Sequence, residues 1–406
     1  MVGGRAAAAG GGRKRKDPSF PHLTAACKRR LTATTAVSSP ATETAAEEDK
    51  SGWASLPTDI ARLVGGRVLA GDVVGYIAFR GVCSWWRACT PSPRDPTLLD
   101  RRLRPRAYVA LCDGDGVRPD ANANRQIIIT FLHTRTARCL RVRLPEEARH
   151  HRIVGFTDGL IILLHKRTTA VRVLHPFTLV AVDLPSLAPI FHQVVRNRNS
   201  LLDMNAAVCA SAGAVKSIAV VVCFPYTPGV VLSSEPGHSG WEVIHRDMDL
   251  MNTLPFHGRL YGFRRFTRQI VQVYPPKPIN PVVAHVPDKF GDPVSCSYKL
   301  VDSFGHMLLV VHYLSPRHIE AKELWQRCAF AIFEVDVNSS WKLRPVRSIG
   351  NLALFICKDR CLSVSAKDLP SISRNSVYHC VTAKSCRFIL SKRPIVRAAN
   401  KIVPSP

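Results

Sequence analysis

Ile153-Val154-Gly155-Phe156-Thr157-Asp158-Gly159-Leu160-Ile161-Ile162-Leu163-Leu164 sets an Asp-Gly pair between two apolar runs, Ile153–Phe156 and Gly159–Leu164. Asp-Gly tolerates the left-handed backbone of a tight hairpin, so the stretch reads as two antiparallel strands joined at that pair. Outward from it, from about residue 105, short runs rich in Val, Ile, Leu and Phe alternate with turn residues. They include Gln126–Leu132, Cys139–Leu144, Ala170–Leu174, Ile218–Phe224, Arg259–Phe263, Ile270–Tyr274, Met307–Tyr313, Phe330–Val337, Leu352–Ile356 and Cys361–Ser365. Roughly twenty such strands in about 280 residues, with no long helical pattern, predict a mainly β fold with a closed architecture. At about 45 residues per four-stranded blade, the length fits a β-propeller of about six blades, whereas a sandwich typically runs nearer ~100 residues.

Upstream the period changes. Pro57 and Asp59 suit a helix start; Ile60, Leu63, Val64 and Val68 then recur at helical spacing. Gly71 breaks that run and Asp72 can cap a second helix bearing Val73, Val74 and Ile77. Val82, Trp85, Trp86 and Cys89 form a third stripe, closed by Pro91 and Pro93. Three short helices bury little by themselves, so their apolar stripes predict an interface; the competing reading packs them against the β domain.

Leu56-Pro57-Thr58-Asp59-Ile60, a spacer, and Arg80-Gly81-Val82-Cys83-Ser84-Trp85-Trp86-Arg87 together resemble an F-box. The resemblance implies a Skp-type adaptor as partner and, through it, a cullin–RING ubiquitin ligase. It places Leu56, Pro57, Ile60, Leu63, Val68, Val82, Cys83 and Trp86 as buried or adaptor-facing residues. Gly65-Gly66 departs from the pattern within the first helix; two glycines cost about 1 kcal/mol each relative to Ala, which would lower adaptor affinity.

The β region is similar to the KIB-type β-propeller found behind F-boxes in a large plant family. The segments that carry this are Val154–Ile161, His175-Pro176-Phe177-Thr178, Asp183-Leu184-Pro185, His257–Gly262, Ser348–Ile356, Cys361–Ala366 and Asn375-Ser376-Val377-Tyr378. His175 stands where Asn is usual and Leu179 where Gly is usual. The domains read as a disordered basic tail (1–50), an F-box (53–92), the propeller (105–385) and a C-terminal tail (386–406). A propeller offers a rigid platform whose loops can grip a protein substrate, and the resemblance implies no catalytic residue and no cofactor.

Charge bounds the partners. The chain has 56 Lys and Arg against 30 Asp and Glu; the first 50 residues hold 9 and 5, leaving 47 and 25, or +22, beyond them. So basic a body calls for an acidic partner, either an acidic protein face or nucleic acid. A basic nucleic-acid-binding or regulatory role without ligase activity is the alternative function, and no recognised nucleic-acid module accompanies the charge. A propeller enzyme or sugar-binding module is a further rival; it would need converging acids or histidines in the central channel. Arg13-Lys14-Arg15-Lys16 and Lys28-Arg29-Arg30 fit a bipartite nuclear-localisation pattern, and equally a solvated basic tail. Nuclear or cytoplasmic residence is expected: no apolar run approaches a membrane span of ~20 residues. An odd count of 13 cysteines without zinc-type spacing points to reduced thiols.

Other sites are weaker. Gly10-Gly11-Gly12 lacks the rest of a phosphate loop. Asp113, Asp115 and Asp120 lack the closing Glu of a calcium loop. His150-His151 beside Glu146-Glu147 reads as a surface loop and not as a metal site. Tyr261-Gly262-Phe263-Arg264-Arg265-Phe266 interleaves aromatic and basic residues as a nucleic-acid surface or an ordinary strand would. Trp241, Trp325 and Trp341 read as propeller packing.

Overall fold

Leu160–His165 and Ile218–Phe224 are apolar at nearly every position because both faces of these strands are covered: all seven residues of the second run are buried. A strand with one wet face would alternate; these occupy second places in sheets that stack on neighbours. The structure is a computed structural model. It describes residues 52–53, 56–111, 128–194, 200–214, 216–225, 229–277, 281–290, 296–314, 328–337, 343–356, 361–367, 369, 371–379 and 393–394.

Six sheets form the blades of a β-propeller. The first has β1 (Tyr108–Ala110), β2 (Ile128–His133) and β3 (Cys139–Arg143). The second has β4 (His151–Thr157), β5 (Leu160–His165), β6 (Ala170–Leu174) and β7 (Ala181–Ser186). The third has β8 (Asn205–Ala210), β9 (Ile218–Phe224), β10 (Val230–Ser234) and β11 (Glu242–His245). The fourth has β12 (Leu250–Phe256), β13 (Arg259–Arg264), β14 (Gln269–Tyr274) and β15 (Val282–His285). The fifth has β16 (Ser297–Ser303), β17 (His306–Leu314), β18 (Cys328–Val335) and β19 (Leu343–Pro345). These are antiparallel meanders. The last sheet breaks the rule. Its order is β21 (Cys361–Ser365), β20 (Leu352–Ile356), β22 (Ser376–His379), β23 (Arg393–Pro394), with β22 parallel to β20. β23 lies in the stretch read from sequence as a C-terminal tail.

β4, β8, β12, β16 and β21 adjoin in turn around the ring. Five seams between successive blades each bury an apolar cluster, from Phe131 and Ile161 at the first to Ile332 and Leu354 at the fifth. At the sixth, between last and first blades, no cluster spans both among the described residues; the Ser365 amide donates to the Thr134 carbonyl at 3.3 Å.

Turn chemistry repeats where the sequence does not. Asp158-Gly159, His257-Gly258 and Phe304-Gly305 are two-residue loops with both residues at positive φ, the twist that matches two antiparallel strands. His133, His165 and His175 each begin a His-x-x-Thr-x turn whose fifth residue has positive φ. In each, the imidazole Nδ1 accepts backbone N–H bonds from within the turn, at 3.0–3.3 Å. His175, standing where Asn is usual in the resembled family, thus closes its turn as His133 and His165 close theirs.

Ahead of the blades lie α1 (Thr58–Gly71), α2 (Val73–Gly81) and α3 (Ser84–Cys89). Two short helices that the sequence did not reveal, α4 (Ala188–Val194) and α5 (Ser200–Asp203), bridge β7 to β8. No helix among the described residues is long and apolar enough to cross a membrane.

Candidate functional site

The three helices start where local chemistry dictates. Pro57 lies one place before α1, its carbonyl accepting from the Ala61 amide at 2.9 Å, with Asp59 in the first turn. Asp72 caps α2 by accepting from the Gly75 amide at 3.1 Å, and the Cys83 sulfur caps α3 by accepting from the Trp86 amide at 3.4 Å. Between the helices Ala61, Gly65, Val73, Tyr76, Phe79 and Cys89 are buried, and the Phe79 and Trp86 rings stack at 4.4 Å.

Gly65 and Gly66 differ in role, which corrects the reading of both as defects. α1 runs unbroken through them. A Cβ on Gly65 would meet Thr90 Cγ2 at 2.9 Å and the Phe79 ring at 3.2 Å. Thr90 is buried and held by its bond to the Trp86 carbonyl at 2.6 Å, so the glycine is what lets α1 approach α2 and α3. Gly66 is exposed and a Cβ there meets nothing.

Several apolar side chains of this unit are exposed among the described residues. Ile60 is 40 % exposed, Leu63 54 %, Val82 66 %, Trp85 44 % and Trp53 76 %. These are five of the eleven exposed large apolar side chains among the described residues, so apolar exposure concentrates here and is not scattered singly. The Trp85 indole donates to the Leu56 carbonyl at 3.0 Å and the Trp86 indole to the Trp53 carbonyl at 2.9 Å, folding the entering chain against α3. Of the residues singled out by sequence, Pro57, Ile60, Leu63 and Val82 are exposed. Leu56, Val68, Cys83 and Trp86 are half-buried, with Cys83 and Trp86 serving the unit itself. Trp53 was missed and Trp85 was placed only in a stripe. Arg62, Arg67 and Arg87 are exposed on the same helices, giving the unit a basic character.

The inner side is tied to the propeller. The Tyr108 hydroxyl lies 3.1 Å from Asp72 Oδ2; burial, then the Asp72 charge, pushes that phenol's pKa up. Val74 packs against the cluster shared by the first two blades. The connecting segment crosses the second blade's hairpin turns. Arg104 and Arg101 each reach Asp158 at 3.2 Å, His175 Nε2 donates to the Leu103 carbonyl at 2.9 Å, and a Cβ at Gly159 would strike the Pro105 carbonyl. Nδ1 of His175 is an acceptor and Nε2 a donor, so the ring is neutral; desolvation holds its pKa below the ordinary imidazole value.

The remaining candidates resolve individually. His151 is buried at the start of β4, its Nδ1 2.8 Å from the Glu147 carbonyl, and is no surface loop. Tyr261 and Phe263 are core residues; only Phe266 is exposed, so the aromatic–basic stretch forms no stacking surface. Trp241 is buried and donates to the Pro185 carbonyl at 2.9 Å. Among the described residues no group of three or more His, Cys, Asp or Glu could hold a metal ion, and Cys83, Cys89, Cys139, Cys209, Cys223, Cys296 and Cys361 are free thiols. Arg13, Lys14, Arg15, Lys16, Lys28, Arg29 and Arg30, with Gly10–Gly12, Asp113, Asp115, Asp120, Trp325 and Trp341, lie outside the described residues.

No curated protein matches the chain closely enough to serve as a relative. The KIB1-4 beta-propeller family matches residues 131–393, from β2 to β23 and well over half of the chain. With six blades in place and that match across them, the chain belongs to the KIB1-4 beta-propeller family.

Proposed function

We propose that the chain is the substrate-receptor subunit of a Skp–cullin–F-box-type ubiquitin ligase. The helical unit would seat on a Skp-type adaptor, and the propeller, an architecture suited to protein interaction, would hold a protein for ubiquitination. The observation that carries the reading is the exposure, among the described residues, of the apolar side chains of Ile60, Leu63, Val82 and Trp85 on three successive helical segments. Burying such a side chain contributes about 1.5–3 kcal/mol, so four of them are a strong incentive for a partner. The exposed arginines on the same helices favour an acidic partner and would speed its approach. Because Asp72, Arg104 and His175 tie the helices to the blades, a bound substrate would be held at a set distance from the adaptor, raising its effective concentration near the ubiquitin-charged enzyme. Transfer chemistry would belong to other subunits, and no catalytic residue is assigned to this chain. The basic clusters at 13–16 and 28–30 would direct nuclear import; a fusion lacking residues 1–50 that still concentrates in the nucleus removes that part.

Co-expression with a Skp-type adaptor tests the main reading. The wild-type chain should retain the adaptor through purification, and Leu63→Asp with Val82→Asp should lose it while keeping the wild-type circular dichroism. Equal recovery overturns the assignment. Retention on heparin beyond moderate salt, with no adaptor recovered, would favour the nucleic-acid alternative.

A further inference from the structure

The outer strand of the first blade differs from those of the other blades. β3 pairs along one edge with β2, from Leu132↔Cys139 to Ile128↔Arg143, and along the other with no strand among the described residues. Its sheet has three strands where the other five have four. β7, β19 and β23, outer strands of the second, fifth and last blades, carry Pro185, Pro345 and Pro394, which lack the N–H that a further strand would bond; β3, β11 and β15 have no proline, and of these three only β3 carries arginine.

Its side chains alternate: Leu140 and Val142 are half-buried, whereas Cys139, Arg141 and Arg143 are exposed, as is Arg138 in the turn before them. Among the described residues no acidic side chain forms an ion pair with Arg138, Arg141 or Arg143. Across the sheet Arg141 faces Thr130 and Arg143 faces Ile128, itself 51 % exposed, so the paired strand β2 sets no carboxylate opposite either arginine. The second blade shows the contrast: Arg172 on β6 is answered by Asp183 on β7 at 2.5 Å.

We propose that β3 is a docking edge for an acidic, extended segment of a partner protein, which adds as a fourth strand with carboxylates at alternate positions opposite Arg141 and Arg143. Alternate residues of a strand stand about 6.6 Å apart on both sides of the junction, so one register satisfies main-chain and side-chain pairing together. Guanidinium groups take carboxylates in bidentate fashion, and the residue between the carboxylates would stand beside half-buried Val142 on the other face of β3. Nucleic acid suits this face less well, because among the described residues the exposed side of β1–β3 has no aromatic ring for a base to stack on. The same arginines repel a second copy of β3, as charged edges do, which leaves the edge open to acidic strands. This goes beyond the adaptor reading and does not depend on it.

Fluorescence anisotropy on the full-length chain tests it, with labelled peptides as probes. One peptide alternates Val and Glu, a second has the same composition with the Glu residues in one block, and a third is the first with alternate amides N-methylated. A labelled single-stranded DNA of equal charge is the fourth probe. The alternating peptide should bind about tenfold tighter than the block and N-methylated forms, and Arg141→Glu with Arg143→Glu should weaken it about tenfold or more. Equal affinity for all three peptides overturns the proposal, as does an unaffected double variant or tighter binding of the DNA with the same arginine dependence. The peptide comparison on the wild type decides the matter even if the variant folds poorly.

Discussion

The Arg104 guanidinium lies 3.2 Å from Asp158 Oδ2, joining the segment that leaves the helices to the tightest turn of the second blade. Arg104 is 7 % exposed at its side chain, and desolvation pulls its pKa down, with Asp158 opposing. Asp158→Asn keeps the turn, since Asn tolerates positive φ, but strips the buried cation of its counter-charge. A loss of roughly 2–4 kcal/mol is expected, read as a lower urea midpoint. Asp158→Ala should cost more, because Ala also strains the turn.

Gly65 and Gly66 should respond in opposite senses. Gly66→Ala, in open space on a helix, should stabilise by about 0.5–1 kcal/mol. Gly65→Ala should destabilise, as the methyl meets Thr90 and Phe79. Amide exchange across residues 58–89 separates the two: slower in the first variant, faster in the second.

Leu179 closes the turn that begins at His175, with φ 58 and the residue 49 % exposed. A left-handed backbone costs a branched residue about 1–2 kcal/mol, and the exposed side chain recovers little by packing. Leu179→Gly should therefore raise the thermal midpoint by a few degrees.

Stability should fall on mild acidification. Desolvation holds His133, His151 and His175 below the ordinary imidazole value. At a pH between the folded and unfolded values the unfolded chain binds more protons than the folded one. Stability is therefore fully present above about 6.5 and is lost as pH drops through that value toward the folded ones. Urea midpoints between pH 7.5 and 5.5 should show this slope. His175→Asn, which can cap the same turn without titrating, should flatten it.

The fold was legible where both faces of a strand are buried, because Ile218–Phe224 or Leu160–His165 can hardly be read otherwise. Outer strands were not, since β11 and β19 are short and half-exposed; nor was the inner strand β8, rich in Ala, a weak strand former. Helical spacing identified the stripes before residue 90 but not which side faces outward; Ala61 and Gly65 point in while Ile60 and Leu63 point out. Gly65 looked like a defect because its reason, the approach of Thr90, is tertiary. The Arg104–Asp158 tie joins positions 54 residues apart, and no local pattern announces it.

The affinity of the purified full-length chain for a purified Skp-type adaptor, set against that of Leu63→Asp with Val82→Asp, tests the central claim most directly. Wild type should bind at micromolar strength or better, and the double variant about 100-fold more weakly, as two desolvated apolar anchors require. Matching affinities, or no binding by the wild type, would contradict it.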